Sequence, residues 1–453
     1  MSLWGEAFEI KQTPVETKKV IEKVKNPKQV TVTKRTKKAV NRPIVDVLAD
    51  IYKEVYRILG VYKDNTVVIK SKEQLVKYID KAIENKIIAI DTETNNSLDP
   101  ITCKLMGPCI YTPGEKNAYI PVNHVNPQTK ERLDWQVTEE DIREQFDRLT
   151  ENNVSVIVHN GKFDYQVLKC TTSYQMKMFW DTMIGAKMLD ENELSYGLKQ
   201  QYISKIDKSI EKYNIEGLFE GIEYAVVDPE VFALYAATDA YMTYKLYLLQ
   251  KSQFEDPSLS KVYDVFINVE MPIVEVTAEM ELAGVCIDKE YAKKLSDYYH
   301  AKAELVSAEI SEAVKEYDEL IAAWRHTTEA QERPLKKGKT ALDDDAYGKS
   351  KAEQLEDPIN LSSPTQLAIF FYDIIKVGII DKKSPRGTGE AILEKIGLPI
   401  CKSILKQRAL NKIISTYIDK LPECVNEKTG RLHAKFNQLG AGTGRLSSSD
   451  PNL

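Results

Sequence analysis

Hydrophobic and polar positions change rhythm three times along the chain. Val47, Ile51, Val55 and Ile58 recur at helical spacing, which predicts an amphipathic helix over residues 44–59. From Thr66 the rhythm shortens: an apolar run at 67–69 reads as a strand, 72–85 as a helix, and Ile87 to Ile90 as a second apolar run that ends at Asp91. Residues 154–159 repeat the strand pattern and lead into a helix-like NGKFDYQVLKC. Strands that alternate with helices predict an α/β layer, with polar chemistry gathered at the strand ends. Beyond Phe254 the pattern is mostly helical, over 262–282 and 290–319. A stretch rich in Lys, Gly and Asp at 327–356 reads as an exposed tip or insertion. Helical spacing resumes at Leu361 and is strong over 402–421, and from Thr429 the chain turns Gly-rich and strand-like.

Composition narrows this picture only slightly. The 453 residues suit two or three domains, with 43% hydrophobic and 29% charged positions near globular averages. No run of about 18 apolar residues is present and the N-terminus lacks a signal-peptide pattern, so a soluble cytoplasmic protein without membrane contact is expected. Six scattered cysteines form no C-x-x-C pair and read as reduced bystanders. The net charge of −6 excludes indiscriminate coating of nucleic acid while leaving room for a local basic surface. Residues 11–42 carry eleven Lys and Arg against Glu16 and Glu22, a composition expected of a disordered arm, either attaching to DNA or a partner or serving as a solubilising tail.

Three separated places offer acids. Asp91 and Glu93 follow the apolar run, and strand alternation aims both at one face. Asp164 stands at a helix start just after the strand-breaking Gly161, where the helix dipole favours an anion. Tyr235 and Asp239 share a helix face at i, i+4 spacing. Each feature alone is also what an ordinary strand end, capping acid or chance pair looks like.

In this order the three stretches resemble the exonuclease motifs of the DnaQ-like superfamily, in the subtype with a tyrosine in its third motif. The resemblance implies a ribonuclease H-like mixed sheet flanked by helices and two divalent cations, Mg²⁺ or Mn²⁺, around one phosphodiester. Asp91, Glu93 and Asp239 would hold one cation, Asp91 and, through water, Asp164 the other, with Tyr235 orienting the attacking water. Leu98 resembles the apolar wedge beside the terminal base, although one extra residue precedes it here. Asn160 corresponds to the asparagine of the second motif, and Asp181, Thr182 and Met183 resemble the segment between the second and third motifs.

The remainder resembles the opening of the polymerase domain of family A, the DNA polymerase I-like enzymes. Residues 270–295 look like its first helix, ended at Gly284. Ser362 and Ser363 fall in a segment resembling the thumb's contact with the duplex backbone, where Ser362 suits either a phosphate contact or a helix cap. Arg408 and Lys412 lie one helical turn apart, which fits a grip on phosphates or an ordinary solvated basic face. Residues 429–453 closely resemble the start of the palm and imply that Arg445 reaches the minor groove near a primer end.

Four segments are therefore expected: a partly disordered basic arm and short helix at 1–65, an α/β 3′–5′ exonuclease domain at 66–255, a mostly α-helical polymerase start and thumb at 256–428, and an incomplete palm at 429–453. The expected partners are DNA, as a single-stranded 3′ end and as a primer–template duplex, and a separate polypeptide supplying palm and fingers. No polymerase catalytic site is expected in this chain, and the lack of a preceding 5′ nuclease points to a bacteriophage-type enzyme. The alternative is a catalytically inactive DNA-binding scaffold for a partner polymerase fragment.

Overall fold

A computed structural model describes residues 42–208, 216–337 and 346–453, together with Lys339 and Asp343. The basic arm lies outside the described residues except for its last position. The predicted first helix is α1 (Ile44–Leu59), which turns Leu48, Ile51, Val55 and Leu59 inward.

The α/β region is built from β1 (Thr66–Val68), α2 (Lys72–Asn85), β2 (Ile87–Thr94), β3 (Leu105–Tyr111), β4 (Asn117–Tyr119), α3 (Glu139–Glu151), β5 (Ser155–Val158), α4 (Gly161–Thr172), β6 (Met178–Asp181), α5 (Thr182–Leu189), α6 (Leu198–Lys205) and α7 (Pro229–Phe254). Local signals explain several boundaries. Ser71 accepts from the Gln74 amide to open α2, and Thr138 with Asp141 forms a reciprocal capping box on α3. The six strands run in the order β1-β4-β3-β2-β5-β6. Central β2 is antiparallel to β3 and parallel to β5, but its pairing with β5 covers only Ile87 to Ala89. The carboxyl end of β2 therefore runs past its parallel neighbour, opening a crevice where a functional site is commonly built in such sheets.

Two apolar cores cover the two faces of the sheet. On one side Ile88, Ile90 and Ile110 pack with Leu75 and Ile79 of α2, Phe146 of α3 and Val167 of α4. On the other side Ala89, Cys109 and Ile157 meet α7. Ala233, Ala236, Ala237 and Ala240 are fully buried, and their small side chains let α7 lie directly on the strands. Trp180 anchors this side, with Phe266 and Tyr247 rings at 4.7 and 5.2 Å and its indole N–H donating to Gln250 at 2.9 Å.

The second region is mostly helical, as expected. It comprises α8 (Ser260–Val265), α9 (Met271–Ala283), α10 (Lys289–Lys315), α11 (Asp318–Arg325), α12 (Thr328–Gln331), α13 (Pro364–Ala368), α14 (Glu390–Ile396), α15 (Pro399–Ile413) and α16 (Lys420–Glu423). It ends in an antiparallel ribbon of β7 (Lys435–Asn437) and β8 (Ser447–Ser449). A third core joins Val306 and Ile310 of α10 to Trp324, Leu367, Phe370 and Ile404. The polar stretch at 327–356 is not simply an exposed tip: Ala330, Ala346 and Ser350 are buried, and Leu335 bridges to Tyr347. Burial would raise the Asp373 carboxyl, yet Arg386 and Lys351 hold it below its ordinary value and tie this stretch to the core.

Helix α9 joins the two regions. Its Ala278 is buried in the core beneath α4, and Glu279 meets both Tyr165 and Lys169. Glu281 accepts from Lys162 at 2.5 Å, Gln166 at 2.7 Å and the Phe436 amide at 2.6 Å, so one carboxylate ties α4 to the ribbon. Gly284 ends α9 at φ 63°, and a Cβ there would come within 2.7 Å of the Leu432 carbonyl.

Candidate metal-binding active site

Strand β2 supplies the first two acids. From Ile90 onward its burial alternates, leaving Asp91 and Glu93 half open and Thr92 and Thr94 buried. Asp91 and Glu93 thus share the α7 face of the sheet with Ala89. Helix α4 supplies the third acid: Asp164 is buried, and its Oδ1 accepts from the Thr92 amide at 2.8 Å and the Thr92 hydroxyl at 2.6 Å. Those bonds fill the stretch of β2 that β5 leaves unpaired. Helix α7 contributes half-open Tyr235 and Asp239, one turn apart.

The turn before α4 is fixed from below by Asp181, which is 1% exposed. It accepts from the Asn160 and Gly161 amides at 3.1 and 2.8 Å and from Met183 at 2.8 Å, so it caps α5 while orienting the entry to α4. Asn160 is left-handed at φ 60°, and a Cβ on Gly161 would meet Val158 at 2.2 Å. His159 donates to or accepts from Thr182 at 2.8 Å, and burial pushes its imidazole down to about 4, keeping it neutral.

Burial and the charges of neighbouring acids couple Asp91 and Glu93 to Asp164 and Asp239. Burial, then the charges of Asp164, Glu93 and Asp239, holds Asp91 well above the usual carboxylate range. Burial and then Asp239 push Glu93 up to about 8. Burial raises Asp164 to about 7 despite its two bonds from Thr92. Without a cation these acids therefore keep protons that an open carboxylate would lose. Their hard oxygen donors suit Mg²⁺ or Mn²⁺. Asp91, Glu93 and Cys109 place one potential ligand atom each within 4.8 Å of one another. The Cys109 thiol, which faces Asp91 across the β2–β3 pairing, is pushed well up by burial and then by Glu93 and Asp91, so it stays a neutral wall of the site.

Three contributors were not legible beforehand. Thr92 sits inside the first acid motif but carried no signal for a contact with Asp164. Cys109 read as a bystander. Lys199, on α6, lies 3.6 Å from the Asp239 carboxylate and 4.5 Å above the Tyr235 ring. Nothing in its local sequence marks it, because the contact spans forty residues.

The expected DNA-contacting residues are spread out. Leu98 is 74% exposed and lines, with Asn160, a cleft of about 430 Å³ that also touches Phe436 and Gln438 of the second region. Ser363, rather than Ser362, caps α13, accepting from Gln366; the Ser362 hydroxyl reaches Gln407 at 3.4 Å. Arg408 donates to the Thr388 carbonyl, whereas Lys412 is exposed one turn on. Arg445 is exposed in the connection between β7 and β8.

Two family models match separate parts of the chain. Residues 66–255, the α/β region, match the family described as 3′–5′ exonuclease. Residues 325–453 match DNA polymerase family A. It is 29% identical to DNA polymerase I of Chloroflexus aurantiacus over 85% of this chain and 37% of that protein. It is 30% identical to DNA polymerase I of a Synechocystis strain over 84% of this chain and 34% of that protein. The chain therefore spans little more than a third of the length of these relatives. The fold resembles the polymerase domain of Pol1 from M. smegmatis, solved in complex with DNA primer-template and dNTP, at a TM-score of 0.58 and 17% identity, covering 85% of this chain and 55% of that one. No helix among the described residues is long and apolar enough to cross a membrane.

Proposed function

We propose that this chain carries the 3′–5′ proofreading exonuclease of a family A DNA polymerase and removes nucleotides from DNA 3′ ends. The observation that supports this most is the meeting of Asp91, Glu93, Asp164 and Asp239, from one strand and two helices, at the open end of β2. When bound, two divalent cations held by these acids would lower the pKa of the attacking water and stabilise charge on the leaving 3′ oxygen. Tyr235 orients the water from its place one turn before Asp239. Thr92 holds Asp164 in register with the strand, and Asp181 fixes the turn that delivers it. Leu98 and Asn160 receive the frayed terminal nucleotide, and mispaired ends arrive more readily because they cost less to unpair.

In the second region, Ser362, Ser363, Arg408, Lys412 and Arg445 serve the primer–template duplex, mainly through its phosphates. Among the described residues, the acids on β2 belong to the one group of three potential ligands within metal-binding distance. A further polypeptide that supplies palm and fingers would complete the site of DNA synthesis.

The test is release of a 3′-terminal label from single-stranded DNA with Mg²⁺ or Mn²⁺. Wild type should release it, and Asp239→Ala should lose about 100- to 1000-fold, as expected when a group that stabilises transition-state charge is removed. Equal inactivity of both proteins would favour a DNA-binding scaffold.

A further inference from the structure

Lys199 is a charged side chain in the site that no part of the acid chemistry above uses. Its ammonium stands 3.6 Å from Asp239 Oδ2 and 4.5 Å over the face of Tyr235. At the first distance the two groups meet as an ion pair rather than through a directed N–H···O bond. Its field reaches deeper into the site, where it partly offsets the burial and like charges that raise Asp91 and Glu93. The lysine side chain is 37% exposed, whereas that of Asp239 is 14% exposed, which places the ammonium at the solvent side of the acids. Helix α6 is anchored beneath it by Tyr202 against Met242 and Leu246 of α7, and by the Lys205–Glu193 pair at 2.8 Å. The lysine therefore has a firm base and a tip at the solvent side of the acids.

Charge balance suggests what that tip is for. Four ionised carboxylates are neutralised by two divalent cations, and an arriving DNA phosphodiester then adds one negative charge that nothing in the acid cluster meets. One ammonium on the rim balances it. We propose that Lys199 is a catalytic residue of the exonuclease site: it is the counter-charge of Asp239 while the site is empty, and it passes to the phosphate of the terminal nucleotide when cations and strand are bound. The inference rests on the exonuclease reading above. Cation binding supplies the charge that Asp239 otherwise takes from Lys199, while the Tyr235 face keeps the ammonium close through a cation–π contact. At the phosphate, the ammonium stabilises charge that grows as water attacks, without itself gaining or losing a proton.

Three measurements on the full chain, comparing wild type with Lys199→Gln and Lys199→Arg, test this. In calorimetric titration with Mn²⁺ alone, Lys199→Gln should bind the ion several-fold more tightly, because a repelling cation is gone, and Lys199→Arg should match wild type. With Ca²⁺ present, binding of a labelled oligothymidylate should weaken several-fold in Lys199→Gln and recover in Lys199→Arg. Release of a 3′ label with Mg²⁺ should fall about 100-fold in Lys199→Gln, with Lys199→Arg retaining most of it. Unchanged Mn²⁺ and strand binding in Lys199→Gln would overturn the proposal, as would a collapse of Mn²⁺ binding in both variants, which marks a purely structural role. If wild type releases no label, the exonuclease reading fails, while the two binding arms still decide whether Lys199 balances the acids and meets the phosphate.

Discussion

The α/β region and the helical region that follows it handle charge in opposite ways. In the first, burial raises the pKa of Asp91, Glu93 and Asp164, and the charges of neighbouring acids, Asp239 of α7 among them, add to it for Asp91 and Glu93. In the second, the basic residues are dispersed: Lys412 and Arg445 are exposed, and the buried acids Asp373 and Glu281 are already paired, with Lys351 and Arg386 and with Lys162. Like charges held close in a low-dielectric setting store free energy that a bound cation can release, which suits chemistry at one point. Dispersed cations on a surface suit a long polyanion, whose binding adds many small, salt-screened contacts.

The largest way to probe the contrast is to relieve the crowding. Asp91→Asn should cut nucleotide release by about 100- to 1000-fold, yet raise the melting temperature of the metal-free protein by about 2–4 °C for each kcal/mol of repulsion removed. The pH dependence carries the same sign. Glu93 has a folded pKa of about 8 against an ordinary value of 4.5, so between these values the folded state keeps a proton that the unfolded chain has lost. Metal-free stability should then fall as pH rises through that window, and Mg²⁺ should restore it most at the alkaline end, where the folded acids ionise and bind. Thermal melts at pH 5.5 and 8, with and without Mg²⁺, read this directly. A metal-free protein equally stable at both pH values would break the contrast.

A second probe compares the cores. Trp180→Ala in the α/β region and Phe370→Ala in the helical region each remove a fully buried ring and should each cost about 3–5 kcal/mol. Scanning calorimetry should show each change moving the transition of its own region more than the other. If both moved a single shared transition alike, the α9 docking through Ala278, Glu279 and Glu281 would be dominating, and the two regions would be one cooperative unit.

The smallest effects belong to the dispersed cations. Lys412→Ala or Arg445→Ala should weaken duplex binding only a few-fold and reduce the slope of log affinity against log salt by about 0.9 for each phosphate no longer neutralised. Nuclease action on single strands should hardly change. A loss of single-strand activity comparable with Asp91→Asn would erase the distinction between the regions.

Much of this was legible in the chain itself. Period-two alternation put Asp91 and Glu93 on one face, i, i+4 spacing paired Tyr235 with Asp239, and the strand-to-helix break at Gly161 placed Asp164 at a helix start. These are local geometries, fixed within a few residues by backbone repeat and sterics. Helix α7 shows where such reasoning thins: it is buried on nearly every side, so its apolar pattern says helix without saying what it packs against.

Tertiary structure alone decided which acids meet, how far their proton affinities rise, and who joins them. The unpaired end of β2 draws in Asp164 through Thr92, β3 brings Cys109 opposite Asp91, and α6 folds Lys199 back over Tyr235. The physical reason is that these contacts depend on strand order and helix docking, which bring together residues up to about 150 positions apart, whereas periodicity reports only on neighbours within a turn or two.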